Sequence, residues 1–298
     1  MLMMDKLARA CLLSCVILSF FLIGQAASAQ QATPRLADYF GFLPLELYKL
    51  DPRIGNLQLK DLDGDKIDDI IVSNNGRSRI DMFLTTKKPA DEKASRPFRK
   101  DPNELEYDRR MRLSSFTVNK EVVSIDTGDF NGDGKPDLVF YGTPAEVTIL
   151  FNDGKAGFGE SKKITSGELV QRPSALTVGD LDQDGRDDLA LLAEKELVFL
   201  YQTTAGVLSE PERVPHTASS PWLIKCIDID GDNAKDVVIV DSEGDHPIHI
   251  RFATDEKKLG PEQRFALDMP HAIAFGQMDG RPGAEILVLE ASRAEAAC

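Results

Sequence analysis

Nine residues, Asp129-Phe-Asn131-Gly-Asp133-Gly134-Lys135-Pro-Asp137, place oxygen-bearing side chains at positions 1, 3, 5 and 9 of one short loop. Position 6 is glycine, and position 7 can present a backbone carbonyl. A hard cation such as Ca²⁺ takes roughly six to eight oxygen ligands, and alternate residues of a tight loop can converge to supply them. The pattern recurs as Asp61-Asp63-Asp65-Asp69, Asp180-Asp182-Asp184-Asp188 and Asp228-Asp230-Asp232-Asp236. A fifth copy, Gln277-Met-Asp279-Gly-Arg281-Pro-Gly283-Ala-Glu285, keeps only the outline. Asp, Asn and Gly also favour ordinary turns. A turn needs one or two such residues, however, and four carboxylates crowded together without a cation would repel one another.

The residues around each loop are those of strands. Leu57-Gln-Leu-Lys leads into the first loop and Ile70-Ile-Val leaves it. Val122-Val-Ser-Ile and Leu138-Val-Phe-Tyr flank the second, Leu176-Thr-Val and Leu189-Ala-Leu-Leu the third. Leu223 to Ile227 and Val237-Val-Ile-Val flank the fourth, Ala272-Ile-Ala-Phe and Ile286-Leu-Val-Leu the fifth. Short β-branched and aliphatic runs of this kind suit buried strands. An EF-hand would need a bidentate Glu at position 12 between helices. Here that position is Val72, Phe140, Leu191 or Ile239. Successive loops start 68, 51, 48 and 49 residues apart. A period near fifty with three or four strands per unit predicts an all-β propeller of about five blades, beginning near residues 57, 122, 175, 223 and 272. The fifth repeat has two strands. Either the alternating segment Leu45-Glu-Leu-Tyr-Lys-Leu completes it, or the natural protein continues.

The long first interval places its surplus at residues 86–112, a mildly basic stretch with nine Lys or Arg and six acids. Asp101-Pro102-Asn-Glu104 has the form of a helix start, predicting a short helix over residues 102–111 on a loop insertion. Such an insertion is either a solvated loop or a partner-contacting protrusion.

Gly128-Asp-Phe-Asn-Gly-Asp-Gly-Lys-Pro-Asp-Leu-Val and Gly179-Asp-Leu-Asp-Gln-Asp-Gly-Arg-Asp-Asp-Leu-Ala, with the turn Asn152-Asp-Gly-Lys-Ala-Gly-Phe-Gly, resemble the FG-GAP and VCBS repeats of integrin-α-like propellers. The resemblance covers roughly residues 57–290. It implies up to four Ca²⁺, each in a loop joining two strands of a blade. The implied ligands are the side chains of Asp61, Asp63, Asp65 and Asp69; of Asp129, Asn131, Asp133 and Asp137; of Asp180, Asp182, Asp184 and Asp188; and of Asp228, Asp230, Asp232 and Asp236. The carbonyl at position 7, as in Lys135 and Arg186, completes each set. Lys66 and Asn233 stand at position 6. If φ is positive there, Asn tolerates it and Lys costs about 1 kcal/mol. The Asp129 and Asp180 loops therefore rank first, Asp228 next and Asp61 last. In the fifth loop Arg281 replaces the central acid and is expected to pair with Asp279 and Glu285 in place of an ion, so no calcium is expected there.

The formal charge of −14 argues against a nucleic-acid surface, and fifteen carboxylates at ligand positions explain it. At the N-terminus, Lys6 and Arg9 precede the apolar run Cys11 to Gly24, and Ala27-Ser28-Ala29 forms a cleavage site. Residues 1–29 are thus expected to be a secretory signal peptide, the competing reading being an uncleaved anchor. No later apolar run is long enough to span a bilayer. Cys11 and Cys15 would leave with the signal. The mature chain keeps Cys226, expected in a buried strand, and Cys298, too few for a disulfide framework.

No catalytic constellation is present: no Gly-x-Ser-x-Gly, His-Glu-x-x-His, Cys-x-x-Cys or phosphate loop. His246 and His249 are three apart and would face opposite sides of a strand. Asp68 and Asp187 belong to the loops and are expected either to be solvated or to back the ligand residues. Trp222, the only Trp, either offers an aromatic surface to a sugar or peptide or packs between blades. The leading expectation is an exported, monomeric, periplasmic or extracellular calcium-stabilised propeller that binds or adheres to a protein or glycan without catalysis. The alternatives are a polysaccharide-active lyase or hydrolase on the same scaffold, and a structural module of a longer surface protein.

Overall fold

The computed structural model describes residues 50–86, 111–204, 206–268 and 270–290. Every regular element among them is a strand. Strands β1 (Ile54–Lys60), β2 (Asp69–Asn74), β3 (Arg79–Thr85) and β4 (Met111–Thr117) form one antiparallel sheet in chain order. β5 (Glu121–Gly128), β6 (Asp137–Thr143), β7 (Glu146–Asn152) and β8 (Phe158–Ile164) form the second. The third joins β9 (Leu176–Gly179), β10 (Asp188–Leu192), β11 (Glu196–Leu200) and β14 (Glu212–Pro215), with the small hairpin β12 (Gln202–Thr204) and β13 (Val207–Leu208) inserted before its last strand. The fourth joins β15 (Pro221–Ile227), β16 (Asp236–Asp241), β17 (Ile248–Arg251) and β18 (Gln263–Phe265). β19 (Pro270–Gly276) and β20 (Glu285–Glu290) make a two-stranded fifth unit.

The arrangement is a β-propeller. It differs from the expected five blades in having four complete blades and a fifth of two strands among the described residues. The segment at 45–50 lies outside those residues except for Leu50. The predicted helix also lies outside them, save for Met111, which instead opens β4.

The core is a stack of inter-blade layers, because alternate residues of a strand face opposite sides of its sheet. On β6, Leu138 and Phe140 face the first blade, while Val139 and Tyr141 face the third. On β10, Leu189 and Leu191 pack against the second blade, Ala190 and Leu192 against the fourth. On β16, Val237 and Ile239 face back, and Val238 and Val240 meet the fifth unit. These strands therefore read as continuous apolar runs, and no blade could bury both faces alone. Trp222 packs against the layer between the fourth and fifth units, the second of its two expected roles. Cys226 is buried in β15, and burial pushes its thiol up to about 12, so it is a packing residue.

Candidate metal centres

Each Asp-rich loop joins the first two strands of its blade: residues 61–68, 129–136, 180–187 and 228–235. Position 2 of the loop is an apolar pin. Leu62, Phe130 and Leu181 are buried in successive inter-blade layers, and Ile229 packs against the last. Position 6 is left-handed in all four loops, with φ of 70° at Lys66, 78° at Gly134, 86° at Gly185 and 71° at Asn233. The strain expected at Lys66 is therefore present.

The loops are built on carboxylates accepting backbone N–H bonds. The position 1 side chain gathers the middle of the turn: Asp129 Oδ1 accepts from Gly132 N at 2.7 Å, and Oδ2 from Gly134 N at 2.8 Å. Asp61, Asp180 and Asp228 do the same at Lys66 N, Gly185 N and Asn233 N. The position 3 oxygen accepts from position 5 N, as Asp182 does from Asp184 N at 3.2 Å. Position 5 accepts from position 7 N, as Asp65 does from Ile67 N and Asp232 from Ala234 N, both at 2.8 Å. Its other oxygen meets the position 7 side chain in two loops: Lys135 Nζ lies 3.1 Å from Asp133 Oδ2, and Arg186 pairs with Asp184.

Position 9 does something the sequence reading did not anticipate. Asp69, Asp137, Asp188 and Asp236 are fully buried, each at 0% exposure. One oxygen of each accepts from position 2 N of its own loop, at 2.8–2.9 Å. The other accepts from the residue at or just past the end of the blade's third strand: Thr85 N, Asn152 N, Gln202 N and Ala253 N, at 2.7–2.8 Å. This residue ties loop to sheet whatever else it binds. Its burial pushes the carboxyl of Asp137 and of Asp188 up to about 6, against the backbone hydrogen bonds that oppose it and with the loop's other carboxylates adding to it. Burial also raises Asp69 and Asp236.

Positions 1, 3 and 9 converge. One carboxylate oxygen from each of Asp61, Asp63 and Asp69 lies within 4.8 Å of the others, as do those of Asp180, Asp182 and Asp188, and of Asp228, Asp230 and Asp236. The Asp129 loop has the same hydrogen-bond pattern, with Asn131 Oδ1 accepting from Asp133 N at 2.9 Å in place of a position 3 carboxylate. The oxygen-only donor set suits a hard divalent cation rather than a soft one. Position 5, namely Asp65, Asp133, Asp184 and Asp232, falls outside the close triads.

The fifth loop is closed differently from the expectation. Arg281 Nε lies 3.3 Å from Asp279 Oδ2, but Glu285 instead accepts Met278 N at 2.7 Å. The Gln277 side chain holds the turn. Its Oε1 accepts Asp279 N and Gly280 N, and its Nε2 donates to the carbonyls of Arg281 and Gly283, the latter at 2.9 Å. An amide donor thus meets the position 7 carbonyl that the other loops would offer to a cation.

Neighbouring loops touch. Asn152 Nδ2 donates to Leu62 O at 2.9 Å in the preceding blade and to Pro136 O at 3.0 Å in its own. Gln202 Nε2 repeats this with Asp129 O and Asp187 O, at 2.9 and 3.1 Å. Asp187 accepts Asp129 N at 2.8 Å, so it backs a ligand residue of the preceding blade's loop, the second of its two expected roles. Gly128 has no room for a side chain at this approach: a Cβ would lie 2.5 Å from Val178 Cγ1. Replacing Asn152 by Ala leaves two carbonyls unpaired and is expected to lower stability by about 1–3 kcal/mol in urea unfolding.

His246 is exposed in the loop before β17, so it does not share a strand with His249, which is buried in β17 with Nδ1 2.8 Å from Glu262 Oε1. Among the described residues, no helix is long and apolar enough to cross a membrane.

Residues 129–191 match the family model described as an FG-GAP-like repeat. A lectin from Agrocybe aegerita, whose structure is described as the basis of specific recognition of non-reducing terminal N-acetylglucosamine, superposes with a TM-score of 0.50 at 14% identity, over 77% of this chain and 59% of that one. The Photorhabdus luminescens Tc holotoxin pore aligns with a TM-score of 0.42 at 17% identity, over 81% of this chain and 11% of that one. This chain therefore spans less than two thirds of each of those chains. No curated protein sequence matches it.

Proposed function

We propose that this chain, an FG-GAP-repeat β-propeller, is an exported, calcium-stabilised scaffold that binds a protein or glycan partner without catalysing a reaction. The observation that carries the reading is the convergence of three carboxylates in each of three loops, beside a fourth loop of the same build. The ligands are the side chains at positions 1, 3, 5 and 9 and the carbonyl at position 7. Calcium bound there would neutralise the crowded carboxylates. In the Asp129 and Asp180 loops, Lys135 and Arg186 must release Asp133 and Asp184 for the position 5 oxygen to join. The Gln277 loop takes no ion, because its own amide occupies the carbonyls.

Residues 1–29 supply the export signal in this reading, and the mature chain is a monomer in the periplasm or outside the cell. The likeness to a sugar-recognising lectin supports a glycan partner. Calorimetric titration of chelator-stripped residues 30–298 tests the metal assignment. Three to four equivalents of Ca²⁺ are expected, and Asp228→Ala should remove one. A protein that takes up no Ca²⁺ would sink the proposal.

A further inference from the structure

The third and fourth blades enclose a cleft of about 300 Å³. Phe199, Tyr201 and Val214 line it from one blade, and Arg251, Lys258 and Leu259 from the other. That volume is at the lower end of small-molecule sites, on the scale of a sugar unit. Its two sides differ in character. Phe199 is buried, and its ring centroid lies 6.2 Å from that of Tyr201, forming an aromatic wall. The Tyr201 hydroxyl has no hydrogen-bond partner among the described residues.

The opposite side is cationic and rigid. The turn at 254–259 is held by Thr254 N to Lys258 O at 2.9 Å, Lys257 N to Thr254 O at 2.8 Å and Gly260 N to Phe252 O at 2.7 Å. It is tied to the Asp180 loop in both directions, by Gln183 Nε2 to Thr254 O and Lys257 Nζ to Gln183 O. Arg251 bridges the blades, donating to Gly260 O at 3.0 Å and Pro215 O at 2.8 Å, with Glu262 3.7 Å away. Its Nε is buried and donates to nothing. Lys258 is exposed and has no ion-pair partner among the described residues.

Three cations, Arg251, Lys257 and Lys258, meet three acids here, Glu212, Asp182 and the Glu262 beside Arg251. Asp182 is committed to the carboxylate triad of the Asp180 loop, Arg251 to Glu262 and two carbonyls, and Lys257 to Gln183 O. Lys258 is therefore the uncommitted cation, set opposite the aromatic wall.

We propose that this cleft binds an acidic sugar unit of an oligosaccharide: the pyranose face stacks on Tyr201 while its carboxylate is held by the exposed ammonium group of Lys258. The apolar C–H face of a pyranose fits an aromatic ring, and a carboxylate is an acceptor that an ammonium recognises strongly. Glu212 and the Tyr201 hydroxyl are placed to meet ring hydroxyls. This inference rests on the scaffold reading and adds to it a location and a ligand class.

The test is calorimetric titration of calcium-saturated residues 30–298 with a hyaluronan tetrasaccharide, with tetragalacturonate, and with chitotetraose as the neutral control. At least one acidic probe is expected to bind, and chitotetraose roughly tenfold or more weakly, the difference a lost charge-assisted contact makes. Lys258→Glu and Tyr201→Ala should each weaken the acidic probe roughly tenfold or more, with unfolding midpoints unchanged for the exposed Lys258 variant. Equal binding by these variants, or equal binding of the neutral probe, would overturn the assignment. So would absence of acidic-probe binding by a protein that still responds to calcium, and in that case the scaffold reading would stand alone. Loss of both responses would remove both.

Discussion

The unfolding midpoint of residues 30–298, followed by circular dichroism, should rise by roughly 15–30 °C between excess EDTA and millimolar Ca²⁺. The estimate follows from mass action. Each site saturated at a hundredfold excess over its dissociation constant adds about 2.7 kcal/mol, so three sites add about 8. For a domain of this size each kcal/mol moves the midpoint by about 2–4 °C. Mg²⁺ should not reproduce the rise, because it demands tight octahedral geometry and keeps its waters. The pH dependence has a definite sign. Asp137 and Asp188 titrate at about 6 in the metal-free fold, against an ordinary value of 3.8. The folded form therefore binds more protons than the unfolded chain between about pH 4 and 6. In EDTA these groups contribute most below that window, and their contribution is lost as pH rises through it. The midpoint in EDTA should rise as the pH is lowered from 7 to 5. The calcium increment should shrink over the same interval, since protons and the cation compete for the same oxygens. An EDTA midpoint that falls steadily from pH 7 to 5 would contradict this account of the buried carboxylates.

The period of the loops and the strand runs around them make the propeller legible in the sequence. Apolar residues on both faces of β6, β10 and β16 follow from blades stacked face to face, and the sequence displays them as unbroken runs. The positive φ at Lys66 and Asn233 was likewise implied by glycine at the same place in sister loops. What stayed hidden are contacts made across the period. Nothing local marks Asn152 and Gln202 as donors to a loop one blade earlier, although both follow the third strand's last apolar residues at matching places. Which ligand residue Asp187 backs has no local signal either, because its partner, Asp129 N, is 58 residues away. In the fifth loop Arg281 pairs with Asp279 as its charge implies, but Glu285 does not join them, and the neutral Gln277 closes the turn, since its amide can accept from two N–H groups and donate to two carbonyls at once. The cleft between the third and fourth blades had no sequence signal at all: Tyr201 and Lys258 come from different repeats and meet only in the fold.

Asp188→Ala should destabilise the protein by about 3–6 kcal/mol even in EDTA, whereas Asp180→Ala in the same loop should cost about 1 kcal/mol or less there. Both are expected ligands of one ion, but their surroundings differ. Asp188 is fully buried and accepts Leu181 N at 2.8 Å and Gln202 N at 2.7 Å. Removing it leaves two buried donors unpaired, each worth about 1–3 kcal/mol, and opens a void beside Leu181 in the inter-blade layer. Asp180 is partly exposed, and the N–H groups it holds, Asp184 N and Gly185 N, lie on a turn that water can reach. Its loss also relieves repulsion within the triad. In calcium both variants should lose in addition the increment of one site, about 2.7 kcal/mol at a hundredfold excess. Asp188→Asn separates the two roles further. It keeps one oxygen to accept an N–H bond but sets an NH₂ group against the other donor, so part of the EDTA-state loss should remain. Equal EDTA stabilities for Asp180→Ala and Asp188→Ala would mean that position 9 is a ligand only, and that the tie between loop and third strand contributes little. The predicted inequality would instead mean that the buried carboxylate organises the loop before any cation arrives, with calcium adding to a connection the backbone already makes.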